Sequence, residues 1–227
     1  MKSMNVLWCA IAAAGAAGLA GCSGQDVYVD PGASVGAAGP VATSTEDFRK
    51  LRFAEAWRGL AIEDGLVVVD RKAAADLPIG DAGEAIARGD VLFAENTFSG
   101  AIGEYRLALL ADETNVEAMF KLGEALLGKR NDEKALAALR TASMLAPERT
   151  DIRLQYAETI NRTGDIDGWA DELENVLAID AAHGEAHARL AVARYYQGQR
   201  DEARRQVALA EKFGGNVPPQ LKAMLNN

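Results

Sequence analysis

Small and large apolar residues recur with a period of 34 residues between residues 82 and 217, which divide into the blocks 82–115, 116–149, 150–183 and 184–217. The eighth position of the blocks holds small residues only, namely Gly89, Gly123, Ala157 and Ala191. The twentieth position holds Ala101, Ala135, Trp169 and Ala203, and the twenty-fourth holds Tyr105, Leu139, Leu173 and Val207. Two helices pack closely only where small side chains let their backbones approach and larger ones fill the space beside them. Each block therefore predicts a pair of antiparallel helices.

The fifteenth position of the blocks is suited to the turn between the two helices of a pair. Gly164 and Gly198 stand there in the last two blocks, where a left-handed residue is useful, while Asn96 and Arg130 stand there in the first two. This spacing resembles the tetratricopeptide repeat, whose period is also 34 residues. The resemblance implies an all-α tetratricopeptide-repeat solenoid of about four helix-turn-helix repeats, in which Trp169 departs from the usual small residue of the third repeat.

Both flanks of the repeats carry signs of further structure. Residues 218–227 begin with two prolines and place Leu221, Met224 and Leu225 on one helical face, which predicts a short C-terminal capping helix. Residues 44–47 resemble a capping box and predict a helix over residues 46–64. The region 46–81 does not fit the 34-residue phase, so it is interpreted as an N-terminal helical cap or a degenerate repeat. The β-prone run at residues 66–69 is not assigned to any of these predicted elements.

The N-terminal residues resemble a targeting sequence, which predicts where the protein is located. A short positive start precedes an apolar run over residues 6–20, which is too short for a membrane span and fits a signal peptide over residues 1–21. The run ends in Leu19-Ala20-Gly21-Cys22, which resembles the lipobox of bacterial lipoproteins and implies that Cys22 is lipidated. The alternatives are an ordinary secretory signal with an incidental cysteine, or an uncleaved buried helix. Residues 22–45 are rich in Gly, Ala, Ser and Pro, which predicts a lipidated flexible linker.

Composition and charge exclude several classes of function. The chain carries 24 Lys and Arg against 33 Asp and Glu, a net charge of −9, so nucleic-acid binding is not expected. The two cysteines, Cys9 and Cys22, both precede the repeats and supply no disulfide framework. No phosphate-binding loop, dinucleotide fingerprint or nucleophile elbow occurs in the sequence. We therefore expect neither an enzyme nor a protein that binds a cofactor or a small-molecule substrate.

Two short patterns resemble metal sites. His183, Glu185 and His187 lie in the sequence HGEAH, but the glutamate is misplaced for a zinc protease and a third ligand is not evident. Residues 163–174 imitate a calcium loop, but Thr163 replaces the acidic first ligand and the repeat phase already explains Gly164 and Asp165 as a turn. We expect no metal at either place.

The family resemblance also indicates a binding surface, because certain positions of the first helix of each repeat face a concave groove. Acidic residues occupy the second and ninth positions, namely Glu117, Asp151, Glu185, Asp90, Glu124 and Glu158. Apolar or aromatic residues dominate the fifth and twelfth positions, including Ile86, Phe120, Leu154, Phe93, Leu127 and Tyr195. This pattern favours a partner segment that carries basic and apolar residues. The alternative is a solvated acidic face, and the arginine-rich fourth repeat suggests contact with a different surface.

Taken together, these features predict a non-enzymatic scaffold for protein–protein interaction, held in the bacterial envelope by its lipid. Ser23 follows the cysteine where Asp would favour the inner membrane, so an outer-membrane lipoprotein facing the periplasm is expected. The whole arrangement resembles pilus-assembly lipoproteins, including those of the tight-adherence pilus and secretin pilotins. An adaptor that regulates peptidoglycan hydrolases or envelope proteases is the alternative.

Overall fold

The computed structural model describes residues 53–226, and its repeats confirm the predicted all-α tetratricopeptide-repeat solenoid with a short C-terminal helix. Within those residues the helices are α1 (Ala82–Ala94), α2 (Phe98–Ala111), α3 (Val116–Gly128), α4 (Asp132–Leu145), α5 (Thr150–Thr163), α6 (Ile166–Ile179), α7 (Gly184–Tyr196), α8 (Arg200–Lys212) and α9 (Pro219–Asn226). Two strands precede them, β1 (Leu60–Glu63) and β2 (Leu66–Val69). The predicted signal peptide, Cys22, the linker and the capping box lie outside the described residues.

Each 34-residue block contains one helix pair, and the small eighth residue is what lets its two helices touch. A Cβ atom on Gly89 of α1 would lie 2.4 Å from the Tyr105 ring of α2. In the second pair, a Cβ atom on Gly123 would lie 2.7 Å from Cγ of Leu139. Tyr105 and Leu139 are almost fully buried, so the large residue at position 24 occupies the space that the small residue at position 8 leaves free.

The turn inside each pair has the same backbone form whatever residue occupies it. Gly164 and Gly198 have φ values of 87° and 77°, and Asn96 and Arg130 adopt φ values of 58° and 59°. A left-handed conformation is uncommon for non-glycine residues, and Arg130 adopts it nonetheless. The packing of the helices on either side therefore determines this turn more strongly than the local preference of the residue.

The segment before the repeats corrects the predicted helix over residues 46–64. Residues 53–56 are helical, but Leu60–Glu63 form a strand that pairs antiparallel with Leu66–Val69, with Leu60 opposite Val69. Asp64 and Gly65 make the turn with φ values of 51° and 75°. Two consecutive left-handed residues give the tight hairpin turn that an Asp-Gly pair favours. The sequence signal for this hairpin was the Asp-Gly pair directly before the β-prone run at residues 66–69.

We call residues 53–81 the strap, because they cross the second helices of the first two pairs. The backbone N–H of Val67 donates to Oγ1 of Thr141 on α4 at 2.9 Å, and Arg71 donates to the carbonyl of Leu110 on α2 at 3.1 Å. Trp57 is buried in the same hydrophobic cluster as the first two repeats. The strap therefore packs on the second helices of the first two pairs and is not itself a further helix pair.

The first helix leaves exposed the face that later first helices bury. Positions that are buried in the later repeats, such as Leu122 and Ala125, correspond in α1 to Arg88 and Val91. Arg88 pairs with Glu104 at 2.9 Å, and Val91 is 59% exposed. The Arg88–Glu104 pair makes the outer face of this terminal repeat more polar than the corresponding face of the later repeats, as is usual for the end of a solenoid.

The C-terminal end is closed by α9. Leu221 and Leu225 are 3% and 2% exposed and pack on the last pair, whereas Met224, predicted on the same face, is 37% exposed. The guanidinium of Arg204 donates twice to the carbonyl of Leu225, at 3.1 and 2.6 Å, and Arg200 donates to the carbonyl of Met224. Cations at this position satisfy the free carbonyls at the C-terminal end of a helix.

The contact between Gly184 and Gly215 provides a test of the last repeat. A Cβ atom on Gly184 would lie 2.5 Å from the backbone nitrogen of Gly215 and from the carbonyl oxygen of Phe213, and backbone atoms cannot rotate away. We expect Gly184→Ala to lower the free energy of unfolding by about 2 kcal/mol, measured by urea denaturation. The matched control is Gly103→Ala, whose Cβ atom would meet only Cβ of Ala56 at 3.9 Å. It should leave stability unchanged or raise it by up to about 1 kcal/mol.

Candidate interaction groove

The predicted groove residues lie on the first helices of the four pairs, α1, α3, α5 and α7. We call the surface that these residues line the groove. Its apolar members are half-buried rather than exposed, so each already packs against its neighbours and still presents part of its surface; they are Ile86, Phe93, Phe120, Leu127, Leu154 and Tyr195. Their acidic companions are Asp90, Glu117, Glu124, Asp151 and Glu158. All of these assignments as contact residues for a partner remain predictions.

Most of the acidic residues already have a basic partner inside the protein. Nζ of Lys121 lies 3.1 Å from Asp90 of the preceding first helix and 3.5 Å from Glu117 of its own helix. Arg189 repeats this arrangement two repeats later, at 3.1 Å from both Glu158 and Glu185. The acidic columns predicted from the sequence are therefore interrupted by cations at the sixth position of the second and fourth repeats.

Arg149 extends the pairing between the second and third repeats. Its guanidinium lies 3.2 Å from Glu117 and donates to both oxygens of Asp151. The hydrogen bonds from Arg149 hold the pKa of Asp151 below its ordinary value. Because Glu117 also meets Lys121, these charges form one continuous ladder along the groove.

At the first repeat, this series of charge pairs begins at the buried hydroxyl of Tyr105. Tyr105 donates to Oδ1 of Asp90 at 2.8 Å, and Asp90 also accepts the ammonium of Lys121. Burial first, and then the hydrogen bond to Asp90, raise the pKa of the Tyr105 hydroxyl. Burial alone would lower the pKa of Lys121, but its contacts with Asp90 raise it overall. The first two repeats are thus linked by a polar network as well as by their apolar core.

Glu124 is the exception in this groove. It occupies the ninth position of the second repeat, and the sixth position of the next repeat is Gln155 instead of a cation. Among residues 53–226 no ion pair or hydrogen bond engages its carboxylate. Burial raises the pKa of Glu124 above its ordinary value, and the ammonium of Lys121 opposes that rise. The carboxylates of Glu117 and Asp90 contribute to the rise as well.

The apolar surface on either side of Glu124 is aromatic at one end and aliphatic at the other. The Phe120 ring lies 5.7 Å from the guanidinium carbon of Arg149, and the Phe93 ring meets Phe98 edge-on with centroids 5.5 Å apart. Leu127 and Leu154 are half-buried near the middle repeats. The groove therefore offers partly covered apolar side chains around one carboxylate that lacks a described counter-ion.

The arginine-rich fourth repeat is occupied by internal contacts. Arg189 pairs with Glu158 of the preceding first helix, Arg194 pairs with Glu174, and Arg205 pairs with Glu202. Arg200 and Arg204 hold the end of α9. Each of these side chains has a structural partner, so the density of arginine in the sequence does not by itself indicate a second binding surface. Tyr196, 66% exposed beside Tyr195, is the large open side chain at this end.

The two metal-like patterns are used as helix starts. Nδ1 of His183 accepts the backbone N–H of Ala186 at 3.2 Å, and His187 is buried with its ring nitrogens 2.7 Å from Gln206 and 3.1 Å from the carbonyl of Ala181. Asp165 caps α6 by accepting from Gly168 at 2.9 Å. Between residues 53 and 226, no group of three or more His, Cys, Asp or Glu side chains is arranged to hold a metal ion.

These four helix pairs with their end helix define the class of the fold, a tetratricopeptide-repeat solenoid. No protein-family model matches the chain, and no curated protein matches it. Many solved structures are similar to it, and three of them are described below. One is MamA, with a TM-score of 0.57, 18% identity and coverage of 77% of this chain and 96% of that chain.

The second similar structure is YrrB, described as a tetratricopeptide-repeat protein with an unusual peptide-binding site; its TM-score is 0.56 at 20% identity, and the match covers 80% of this chain and 86% of that chain. The third is PilF of Pseudomonas aeruginosa, with a TM-score of 0.55 at 24% identity and coverage of 64% of this chain and 66% of that one. At these identities the likeness establishes the fold. In the part of the chain that the structure describes, none of the helices combines the length and apolar character needed to cross a bilayer.

The environment of Glu124 leads to a prediction on stability. Because its pKa is raised in the folded chain, the folded state holds the proton more tightly than the unfolded state, and stability falls as pH rises through the interval between the two pKa values. We expect Glu124→Gln to raise the melting temperature at pH 7 and to lose this advantage below about pH 4, where both states are protonated. The difference in melting temperature between the variant and the wild-type protein is measured by thermal unfolding from pH 3.5 to 8. A melting temperature of Glu124→Gln below that of the wild-type protein at pH 7 would contradict a raised pKa of Glu124.

Proposed function

We propose that this protein is a non-enzymatic interaction scaffold of the bacterial cell envelope, anchored through a lipid on Cys22 to the outer membrane and facing the periplasm. Its groove binds a partner segment that carries basic and apolar residues, and the binding assists assembly of a pilus or secretin-type complex. The single observation that carries the binding proposal is Glu124, the half-buried groove carboxylate that has no counter-ion among residues 53–226.

The charge pairs of the groove indicate what a partner would supply. At two of the three steps between first helices, a carboxylate meets a cation of the next repeat, as Asp90 meets Lys121 and Glu158 meets Arg189. At the middle step Gln155 leaves Glu124 without that contact. A lysine or arginine of the partner would complete the series and remove the cost of holding a half-buried charge unpaired.

The apolar residues supply the remaining complementarity. Phe93, Phe120, Leu127 and Leu154 are half-buried, so a partner side chain can cover the rest of each without a large rearrangement. Aromatic residues, phenylalanine among them, are enriched in the buried core of protein interfaces. YrrB and PilF lend support at the level of fold, the first through its stated peptide-binding site and the second through the architecture that it shares with this chain.

Photo-crosslinking from the groove tests the proposal. A photoreactive phenylalanine at Phe120 in native membranes should capture a defined envelope protein, while the same residue at Met144, 60% exposed on the second helix α4, should not. Glu124→Gln should reduce the captured amount by about tenfold because the partner's cation loses its counter-charge. The matched variant is Glu133→Gln, which removes an exposed carboxylate from the second helix of the same repeat.

The identity of the captured protein separates the two forms of the proposal. A pilus or secretin component supports an assembly factor, and a peptidoglycan hydrolase or protease supports the adaptor that the sequence also suggested. Equal capture from Phe120 and Met144, or equal losses from Glu124→Gln and Glu133→Gln, would contradict the groove as the binding surface.

The anchor has its own test. Cells fed a palmitate analogue should incorporate it into the wild-type protein, and Cys22→Ser should abolish both the label and the pelleting of the protein with outer membranes. A multiply acylated cysteine gives stable membrane association, which a single chain does not. Unchanged labelling of the Cys22→Ser variant would contradict lipidation of Cys22. It would not affect the proposal that the groove binds a partner.

A further inference from the structure

The junctions between successive first helices share one arrangement of carboxylates. At the first junction Nζ of Lys121, in the sixth position of its repeat, lies 3.1 Å from Asp90 and 3.5 Å from Glu117. Asp90 is the ninth residue of the preceding repeat, and Glu117 is the second residue of the same repeat as Lys121. The sixth position therefore places a cation between two carboxylates that come from adjacent first helices.

The third junction has the same arrangement with different residues. Nε of Arg189, again in the sixth position, lies 3.1 Å from Glu158 in the ninth position of the preceding repeat. It also lies 3.1 Å from Glu185 in the second position of its own repeat. We call the space between the two carboxylates of a junction the cation slot. This slot accommodates an ammonium group in the first junction and a guanidinium group in the third.

The middle junction has both carboxylates but lacks a cation in its slot. Glu124 and Asp151 occupy the ninth and second positions, and Gln155 occupies the sixth. Both oxygens of Asp151 accept hydrogen bonds from Arg149, whereas no ion pair or hydrogen bond engages the Glu124 carboxylate within residues 53–226. Gln155 is half-buried, as are the cations of the other two junctions. The middle slot is therefore lined by a neutral amide and one unpaired carboxylate.

We infer that Gln155 determines where the basic side chain of a partner binds along the groove. This inference rests on the proposed function. Because the amide of Gln155 carries no charge, the Glu124 carboxylate stays available to an ammonium or guanidinium group from outside. At the other two junctions Lys121 and Arg189 already supply that group, and a second cation is repelled there. The residue at the sixth position thus sets the register in which the partner binds.

Apolar residues on both sides of Glu124 define the rest of the partner segment. Phe120 and Leu127 lie four residues before and three residues after Glu124 on α3, so all three share one face of the helix. They are spaced by about 6 and 4.5 Å along the helix axis. Both apolar side chains are half-buried and keep part of their surface open. The matching segment therefore presents one lysine or arginine between two apolar side chains.

Peptides selected from a random display library on the wild-type protein serve as the probe. Each selected peptide is assayed with its lysine or arginine present and with that residue replaced by norleucine. In the wild-type protein we expect the replacement to weaken binding by about tenfold, because Glu124 loses its counter-ion. In Gln155→Arg the new guanidinium fills the slot, so the basic peptide should bind about tenfold more weakly than it does to the wild type. The norleucine replacement should then change the affinity by less than about twofold.

The matched control adds the same charge elsewhere in the third repeat. Ala178→Arg places a guanidinium at an exposed position of the second helix α6, and it should change the peptide affinity by less than about twofold. Thermal unfolding without peptide shows that the variants are folded. Gln155→Arg should raise the melting temperature at pH 7, because its guanidinium pairs with Glu124. In a Glu124→Gln background the same substitution should give no such rise.

Exchanging the sixth-position residues of the third and fourth repeats should move the site. The double variant Gln155→Arg, Arg189→Gln fills the middle slot and empties the third one, where Glu158 loses its internal cation. A photoreactive phenylalanine at Phe120 should then lose its crosslink to the selected peptide. The same residue at Leu154, the equivalent position of the third repeat, should gain that crosslink.

The outcomes separate this inference from the proposed function. If Glu124→Gln weakens peptide binding and Gln155→Arg does not, the groove remains the binding surface and Gln155 is rejected as its determinant. A crosslink that stays at residue 120 in the exchanged variant also rejects Gln155. If neither Glu124→Gln nor Gln155→Arg weakens binding, or if the selected peptides lack lysine and arginine, the proposed groove function fails together with the inference.

Discussion

The fold depends on the contact between a small residue in the first helix of each pair and a large one in the second. Gly89 lies directly under the ring of Tyr105, and Gly123 lies under Leu139, at separations that leave no room for a methyl group. A small residue at this position lets the two helices of a pair approach closely, and small residues recur there every 34 residues, with alanine in the last two pairs. The turns, the core and the stacking of successive pairs all follow from it, which explains why Asn96 and Arg130 adopt a backbone conformation that glycine would favour.

Regular stacking brings the same positions of successive first helices together, and the chain uses this to place charges. The sixth position holds Ala87, Lys121, Gln155 and Arg189, so cations alternate with neutral residues. Where a cation is present it joins two carboxylates from adjacent helices, and where it is absent Glu124 is left alone. Partly buried ion pairs give geometry more than stability, so their effect here is to hold the first helices in register. The neutral Gln155 of the third repeat is what leaves Glu124 without such a pair.

Local periodicity was sufficient to predict the helix pairs and the end helix, because each of these depends on contacts between residues less than 34 apart. The strap could not be predicted in the same way. Its strands pair locally through Asp64 and Gly65, but its position depends on contacts such as Val67 with Thr141, 74 residues apart. The acidic columns were evident in the sequence, but the pairs that neutralise them require Arg149, which belongs to no groove position of the repeat.

The strap also determines which surfaces of the solenoid remain free. By packing on α2 and α4 it covers the second helices of the first two pairs and leaves the first helices, and with them the groove, uncovered. Phe53, the first residue that the structure describes, lies against Lys129 and Lys134 at the turn of the second pair. The same segment places Phe53 and Trp57 against Lys134, so it ties the second helix of the second pair to the strap by cation–π contacts as well as by apolar packing.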